Sequence, residues 1–175
     1  MTRGDDSPIF LIGYRGTGKS TAARELAKRF GFLWVDADVR IEALAGKSIA
    51  AMFADEGEAA FRELEAQVVA ALSRERRVVA ALGGGAILSA GNRRTICAAG
   101  PVVWLTASVD GILERLAADE STASRRPNLT ATGGRAEIEE LLAKRTPLYR
   151  ECATLTVDTE GKTAAEVADE IVARL

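Results

Sequence analysis

Histidine is absent from all 175 residues. That excludes every catalytic triad and metal centre built on an imidazole, and leaves carboxylates, lysine and arginine for acid, base and charge roles. Cysteine occurs twice, at Cys97 and Cys152, in unlike segments with no CxxC spacing. Neither a disulfide framework nor a zinc site is suggested, and a reducing compartment fits best. No apolar run approaches the roughly 20 residues that span a bilayer, and residues 1–8 lack the apolar core of a signal peptide. The expectation is a soluble, cytoplasmic chain with no membrane partner. A dominant charge is missing too: 23 Lys and Arg against 25 Asp and Glu leave a net charge of −2. Without a basic block, the electrostatic footprint of a nucleic-acid binder is lacking.

What is present is 47% apolar composition in a length that suits one compact domain. Ile9–Ile12 is a short apolar run ending at glycine, as a fully buried strand entering a tight loop would be, and similar runs recur at Phe32–Val35, Val78–Leu82, Val102–Leu105 and Thr154–Val157. Between them lie residues at helical spacing, such as Leu26 with Phe30, Phe61 with Leu64, Val68 and Leu72, and Val167 with Ile171 and Leu175. The alternation predicts right-handed βαβ units, a mainly parallel sheet with helices on both faces, and ligands at the carboxyl ends of the strands. Asp119 to Gly134 breaks the pattern. It is polar, carries Pro127 and Gly133-Gly134, and reads as a mobile loop within the domain.

Gly13-Tyr14-Arg15-Gly16-Thr17-Gly18-Lys19-Ser20 matches GxxxxGK[ST] directly after a predicted strand and before the helical stretch Thr21–Phe30. Glycines let the backbone wrap around phosphates, amide N–H groups and the helix N-terminus supply positive potential, Lys19 reaches the outer phosphates, and Ser20 can ligate Mg²⁺. A nucleoside triphosphate site follows. The fate of the γ-phosphate does not, because kinases, switches and motors share this loop.

Asp36 and Asp38 follow the second predicted strand. In extended chain, residues two apart face the same side, so one carboxylate could hold Mg²⁺ while the other orients a substrate hydroxyl. Asp38 could instead be an ordinary helix cap. In the helix of Phe61, Leu64, Val68 and Leu72, Glu65 lies inside the apolar stripe and Arg62 on its edge three residues away. A guanidinium fixed by such a pair would suit an acidic substrate, although a structural ion pair reads equally well. Gly83-Gly84-Gly85 closes the third apolar run, where three glycines imply that something approaches bare backbone closely. Arg125-Arg126-Pro127 could close a loop over ATP, or be solvated charge. Arg145 stands two residues before Pro147, near the end of a predicted helix, where a cation also suits the helix dipole.

Taken together, Gly13–Thr21, Asp36-Ala37-Asp38, Phe61-Arg62-Glu63-Leu64-Glu65, Gly83-Gly84-Gly85, Arg126-Pro127 and Arg145-Thr146-Pro147-Leu148-Tyr149 resemble the shikimate kinase family from about Ile9 to Thr159. The P-loop is generic, but DxD, FRxxE and GGG in this order are specific. The resemblance implies a three-layer α/β fold of nucleoside-monophosphate-kinase type, with a five-stranded parallel sheet. It implies transfer of a phosphoryl group from MgATP to the 3-hydroxyl of shikimate; a monomer is the separate expectation for the assembly.

By the same resemblance, Gly13, Arg15, Gly16, Thr17, Gly18, Lys19, Ser20, Thr21 and Arg126 bind ATP. Ser20 and, through water, Asp36 hold Mg²⁺. Asp38, Arg62, Gly84, Gly85 and Arg145 bind substrate, with Asp38 also a candidate base. Lys19, Asp38 and Arg126 are the catalytic set, and Arg126 is the lid arginine in a lid over about 119–134. A substrate-capping segment spans about 38–65, with Ile49, Phe53 and Phe61 as an apolar wall, and the segment after Asp158-Thr159 borders adenine. The chain departs from the family in following Arg126-Pro127 with Asn128 before Leu129, and neither Arg115 nor Arg125 is a secure match for the family's adenine-stacking arginine. Two alternatives stand beside this reading: a kinase of another hydroxy acid such as gluconate, and a nucleotide-dependent binding module without transfer.

Overall fold

A computed structural model describes residues 5–118 and 134–175. In chain order the elements are β1 (Ile9–Ile12), α1 (Lys19–Phe30), β2 (Leu33–Asp36), α2 (Ala37–Ala45), α3 (Ile49–Asp55), α4 (Gly57–Leu72), β3 (Val78–Ala81), a 3₁₀ turn (Ala86–Leu88), α5 (Ala90–Ala99), β4 (Val102–Thr106), α6 (Val109–Ala118), α7 (Gly134–Cys152), β5 (Leu155–Asp158) and α8 (Ala164–Arg174). The strands form one parallel sheet in the order β2-β3-β1-β4-β5. The α/β, five-stranded parallel expectation is met.

The pleat of β1 explains the layers. Successive side chains point to opposite faces, so Ile9 and Leu11 join one core with Ala23, Leu26 and Phe30 of α1 and Val167 and Ile171 of α8. Phe10 and Ile12 join the other, with Ile41, Phe61, Val68, Leu72, Ile96 and Tyr149. Both faces of the central strand are covered, hence its unbroken apolar run. β2 departs from that reading: Leu33 is 72% exposed and Trp34 44%. It is an edge strand, and an apolar run there does not require cover on both faces. A cation–π contact from Arg24, 5.7 Å from the Trp34 ring, covers part of it.

Two further expectations are corrected. The chain is not extended through Asp36-Ala37-Asp38, because α2 begins at Ala37 and Asp36 is its N-cap, accepting from the Asp38 amide. Asp38, expected at the boundary as a possible cap, lies inside the helix. Arg145 is not near a helix end, since α7 runs through Pro147 to Cys152. Proline removes one backbone donor and strains one turn, but Tyr149 and Cys152 beyond it are buried, and their packing holds the last turn in place. The helix-dipole reading of Arg145 therefore falls. Of the predicted loop, Gly134 opens α7, and residues 119–133, with Arg125, Arg126, Pro127 and Asn128, lie outside the described residues. Cys97 and Cys152 are free thiols, with Cys97 Sγ 3.7 Å from the Cys152 carbonyl oxygen.

Candidate active site

The P-loop leaves β1 at Gly13, whose φ of 142° and position demand glycine, since a Cβ there would run into the carbonyl oxygen of Leu105 on β4. The loop is held by its own side chains. The Tyr14 carbonyl accepts from Thr17 Oγ1 at 2.7 Å and from Lys19 Nζ at 2.8 Å, which folds the lysine back across the loop. Gly18 caps α1 at a φ of 82°, so the first-turn amides of α1 are left for a ligand. At the start of α1, Ser20 Oγ donates to Asp36 Oδ2 at 2.6 Å. The DxD segment and the phosphate loop are thereby joined.

A cavity of about 620 Å³ opens over this loop. Arg15, Lys19, Ser20 and Thr21 line one part of it, Asp36, Asp38, Glu42 and Ile49 another, and Gly83 and Gly84 a third. Asp38 is half-buried there although its backbone is helical. Both aspartates reach the cavity because β2 delivers α2 to its rim, not because they alternate along an extended chain.

Behind Gly84 lies a second cluster of charge. Glu65 is buried, with a side chain 3% exposed, and accepts from Arg62 Nη1 at 2.7 Å. Burial raises the Glu65 carboxyl pKa above its ordinary value, against the pull of Arg62 and, more weakly, Arg145. Burial by itself would lower the pKa of Arg62, but the carboxylates of Glu65 and Glu58 outweigh it and hold the guanidinium firmly charged. Arg145 is 7% exposed, and its guanidinium lies 5.7 Å from the Tyr14 ring.

The triple glycine is explained from this side. A Cβ on Gly85 would sit 2.7 Å from Arg62 Nη2, and one on Gly84 would sit 3.2 Å from the Gly13 carbonyl oxygen and 3.6 Å from Arg145 Nη1. What approaches the bare backbone is therefore the P-loop and the two arginines. Tyr149 fastens the turn by donating to the Gly84 carbonyl at 2.6 Å, and burial pushes its phenol pKa up to about 12. On the apolar side, Phe53 and Phe61 pack with ring centroids 4.9 Å apart.

Two charged residues of the site are left unassigned by the sequence: Arg115 finds no secure match as the adenine-stacking arginine, and Glu137 is not singled out at all. Arg115 of α6 lines the cavity, donating to Thr159 Oγ1 at 2.8 Å, to the Thr159 carbonyl at 2.7 Å and to the Gly16 carbonyl at 3.3 Å. It ties the P-loop to the turn after β5, a juxtaposition of residues remote in sequence that no local pattern announces. Glu137 of α7 is wholly buried against Arg15. A signal for it existed: four-residue steps from Glu137 pass through Leu141, Arg145 and Tyr149, so it is a carboxylate in an inward stripe, the criterion that singled out Glu65.

The shikimate kinase family model matches residues 15–175. A curated shikimate kinase of Rhodopirellula baltica is 44% identical over 94% of this chain and 88% of its own length. The chain belongs to the shikimate kinase family. Among solved structures, shikimate kinase from Acinetobacter baumannii in complex with shikimate superposes with a TM-score of 0.88 at 36% identity, covering 95% of this chain and 90% of that one. A gluconokinase from Sinorhizobium meliloti, at 19% identity and a TM-score of 0.58 over 98% of this chain and 92% of its own, shares the fold alone. Family membership makes this chain an ATP-dependent small-molecule kinase of the shikimate pathway.

Proposed function

We infer that this chain transfers the γ-phosphoryl group of ATP to the 3-hydroxyl of shikimate, giving shikimate 3-phosphate and ADP. The observation that carries the acceptor assignment is the pair of guanidinium groups, Arg62 and Arg145, meeting the Gly84-Gly85 backbone beside the P-loop. A planar cation held by a buried carboxylate is a ready partner for the carboxylate of a small acid.

In this reading Gly13, Arg15, Gly16, Thr17, Gly18, Lys19, Ser20 and Thr21 hold the triphosphate, and Lys19 leaves the Tyr14 carbonyl to meet the outer phosphates. Arg62 and Arg145 grip the substrate carboxylate, and Gly84 and Gly85 line the acceptor site, their missing side chains leaving room for those two guanidinium groups. Ile49, Phe53 and Phe61 wall its apolar side. Asp38 accepts a hydrogen bond from the acceptor hydroxyl and takes its proton as the oxygen bonds to the γ-phosphorus. The bond to the β-phosphate oxygen breaks, and its electron pair leaves with ADP. Arg115 with Thr159 borders the base. Arg126, outside the described residues, completes the catalytic set with Lys19 and Asp38.

The donors at Ser20 and Asp36, a hydroxyl and a carboxylate already 2.6 Å apart, fit a hard cation such as Mg²⁺. When bound, Mg²⁺ neutralises phosphate charge. Segment 38–65 is the substrate cap and 119–134 the lid of a single domain. The near-neutral charge supports small metabolites as partners and not nucleic acid, and no described helix is long and apolar enough to cross a membrane. We place the enzyme in the cytoplasm as a monomer.

The test is ADP release from MgATP by a coupled assay with shikimate, gluconate, a nucleoside monophosphate or no acceptor. Release that depends on shikimate supports the reading. Preference for gluconate overturns the acceptor, and independence from every acceptor overturns the transfer.

A further inference from the structure

Arg15, a P-loop residue on the cavity wall, donates from Nη2 to Glu137 Oε1 at 2.6 Å. The glutamate side chain is 0% exposed and that of Arg15 13%. The arginine also lies against Tyr14, its Cζ 6.0 Å from that ring, and its buried Nε has no hydrogen-bond partner among the described residues.

A buried ion pair is a poor device for stability alone, because removing two charges from water costs about as much as their attraction returns. What it does well is orient. A carboxylate at one end of the guanidinium plane fixes where the remaining N–H groups lie, and a fork so fixed need not be ordered when an anion arrives. Glu137 is also placed to transmit position. It stands in the first turn of α7, whose later turns carry Arg145 against the Tyr14 ring and Tyr149 onto the Gly84 carbonyl. One helix thus braces the nucleotide loop at one end and the acceptor loop further along.

We propose that Glu137 is a positioning residue for nucleotide binding, pre-orienting the Arg15 guanidinium toward the phosphates of ATP. The proposal rests on the P-loop reading above, but its test needs no acceptor. Glu137→Ala frees the guanidinium, which the nucleotide must then order itself, and immobilising a side chain of that size weakens binding by roughly three- to ten-fold. A carboxylate near phosphates could act the other way, as mere repulsion, and its removal would then tighten binding. The two mechanisms differ in sign.

The experiment is titration of the Mg²⁺ complex of the non-hydrolysable analogue AMP-PNP into wild type, Glu137→Ala, Arg15→Met and the double variant, by calorimetry. The expected result is weaker binding in Glu137→Ala and no further loss when Glu137→Ala is added to Arg15→Met. Equal losses in both backgrounds, or tighter binding in the single variant, overturn it. Glu137→Gln, nearly isosteric and able to keep one hydrogen bond, serves where alanine fails to fold, with a smaller loss that also vanishes without Arg15. Failure of shikimate-dependent turnover in wild type would strike the function reading and leave this result standing.

Discussion

Gly85→Ala isolates the grip on the acceptor carboxylate. The backbone at Gly85, φ −97° and ψ −4°, is open to alanine, so no conformational strain confuses the result. The added methyl would lie 2.7 Å from Arg62 Nη2, 2.8 Å from Nη1 and 3.2 Å from Cζ. Ordinary carbon contacts need about 3.5–4 Å, so the guanidinium must withdraw by about 1 Å. It cannot swing freely, because Glu65 holds Nη1 at 2.7 Å while Glu58 holds Nε and Nη2 at 3.1 Å each. Losing well-placed charge-assisted hydrogen bonds to the substrate is worth about 1.5–3 kcal/mol, or roughly a ten- to hundred-fold fall in kcat/KM for shikimate. Stability should fall by about 1–3 kcal/mol, since the displaced guanidinium leaves the buried Glu65 carboxylate less well paired. Coupled ADP release with shikimate varied at saturating MgATP, beside a thermal melt, reads both. A folded variant with unchanged kcat/KM for shikimate would refute the placement of Arg62 at the acceptor.

The remaining predictions concern the groups around that grip. Asp38→Asn should lower kcat by roughly 10²–10⁴-fold while leaving nucleotide affinity intact, as stopped-flow turnover and direct binding would report. Arg115→Ala should cut the tie between Gly16 and Thr159 and raise the KM for ATP by roughly ten-fold with the KM for shikimate unchanged. Tyr149→Phe strips the Gly84 carbonyl of its buried donor and should cost about 1–3 kcal/mol in urea unfolding. Glu65→Gln tests burial through pH. The folded-state pKa of Glu65 is raised above its ordinary 4.5, so its contribution to stability is full below 4.5 and is lost as pH rises through the folded value. The difference in unfolding free energy, wild type minus Glu65→Gln, should therefore grow on acidification. A difference that shrinks would mean that Arg62, not burial, dominates.

Much of this molecule is local enough to read from the chain. GxxxxGK[ST] between an apolar run and a helix specifies the phosphate loop, because its requirements are for backbone that only glycine can supply and for a lysine and a hydroxyl at set offsets. The inward carboxylate Glu65 was legible because helical geometry converts spacing into direction, and its pairing with Arg62 followed from three-residue spacing alone. Tertiary structure decided the rest. Whether Asp36-Ala37-Asp38 is extended or helical depends on where α2 finds a core, and burial of Ala37 and Ile41 pulled the helix start forward to Ala37. Pro147 marks a helix end by local rules, yet the helix continues because Tyr149 and Cys152 gain more by packing than the proline costs. The partners of the bare glycines, the tie from Arg115 to Thr159 and the pairing of Arg15 with Glu137 across 122 positions could not be read locally. Such contacts are set by how helices and loops meet over the sheet, and periodicity within one element carries no information about which other element it will face.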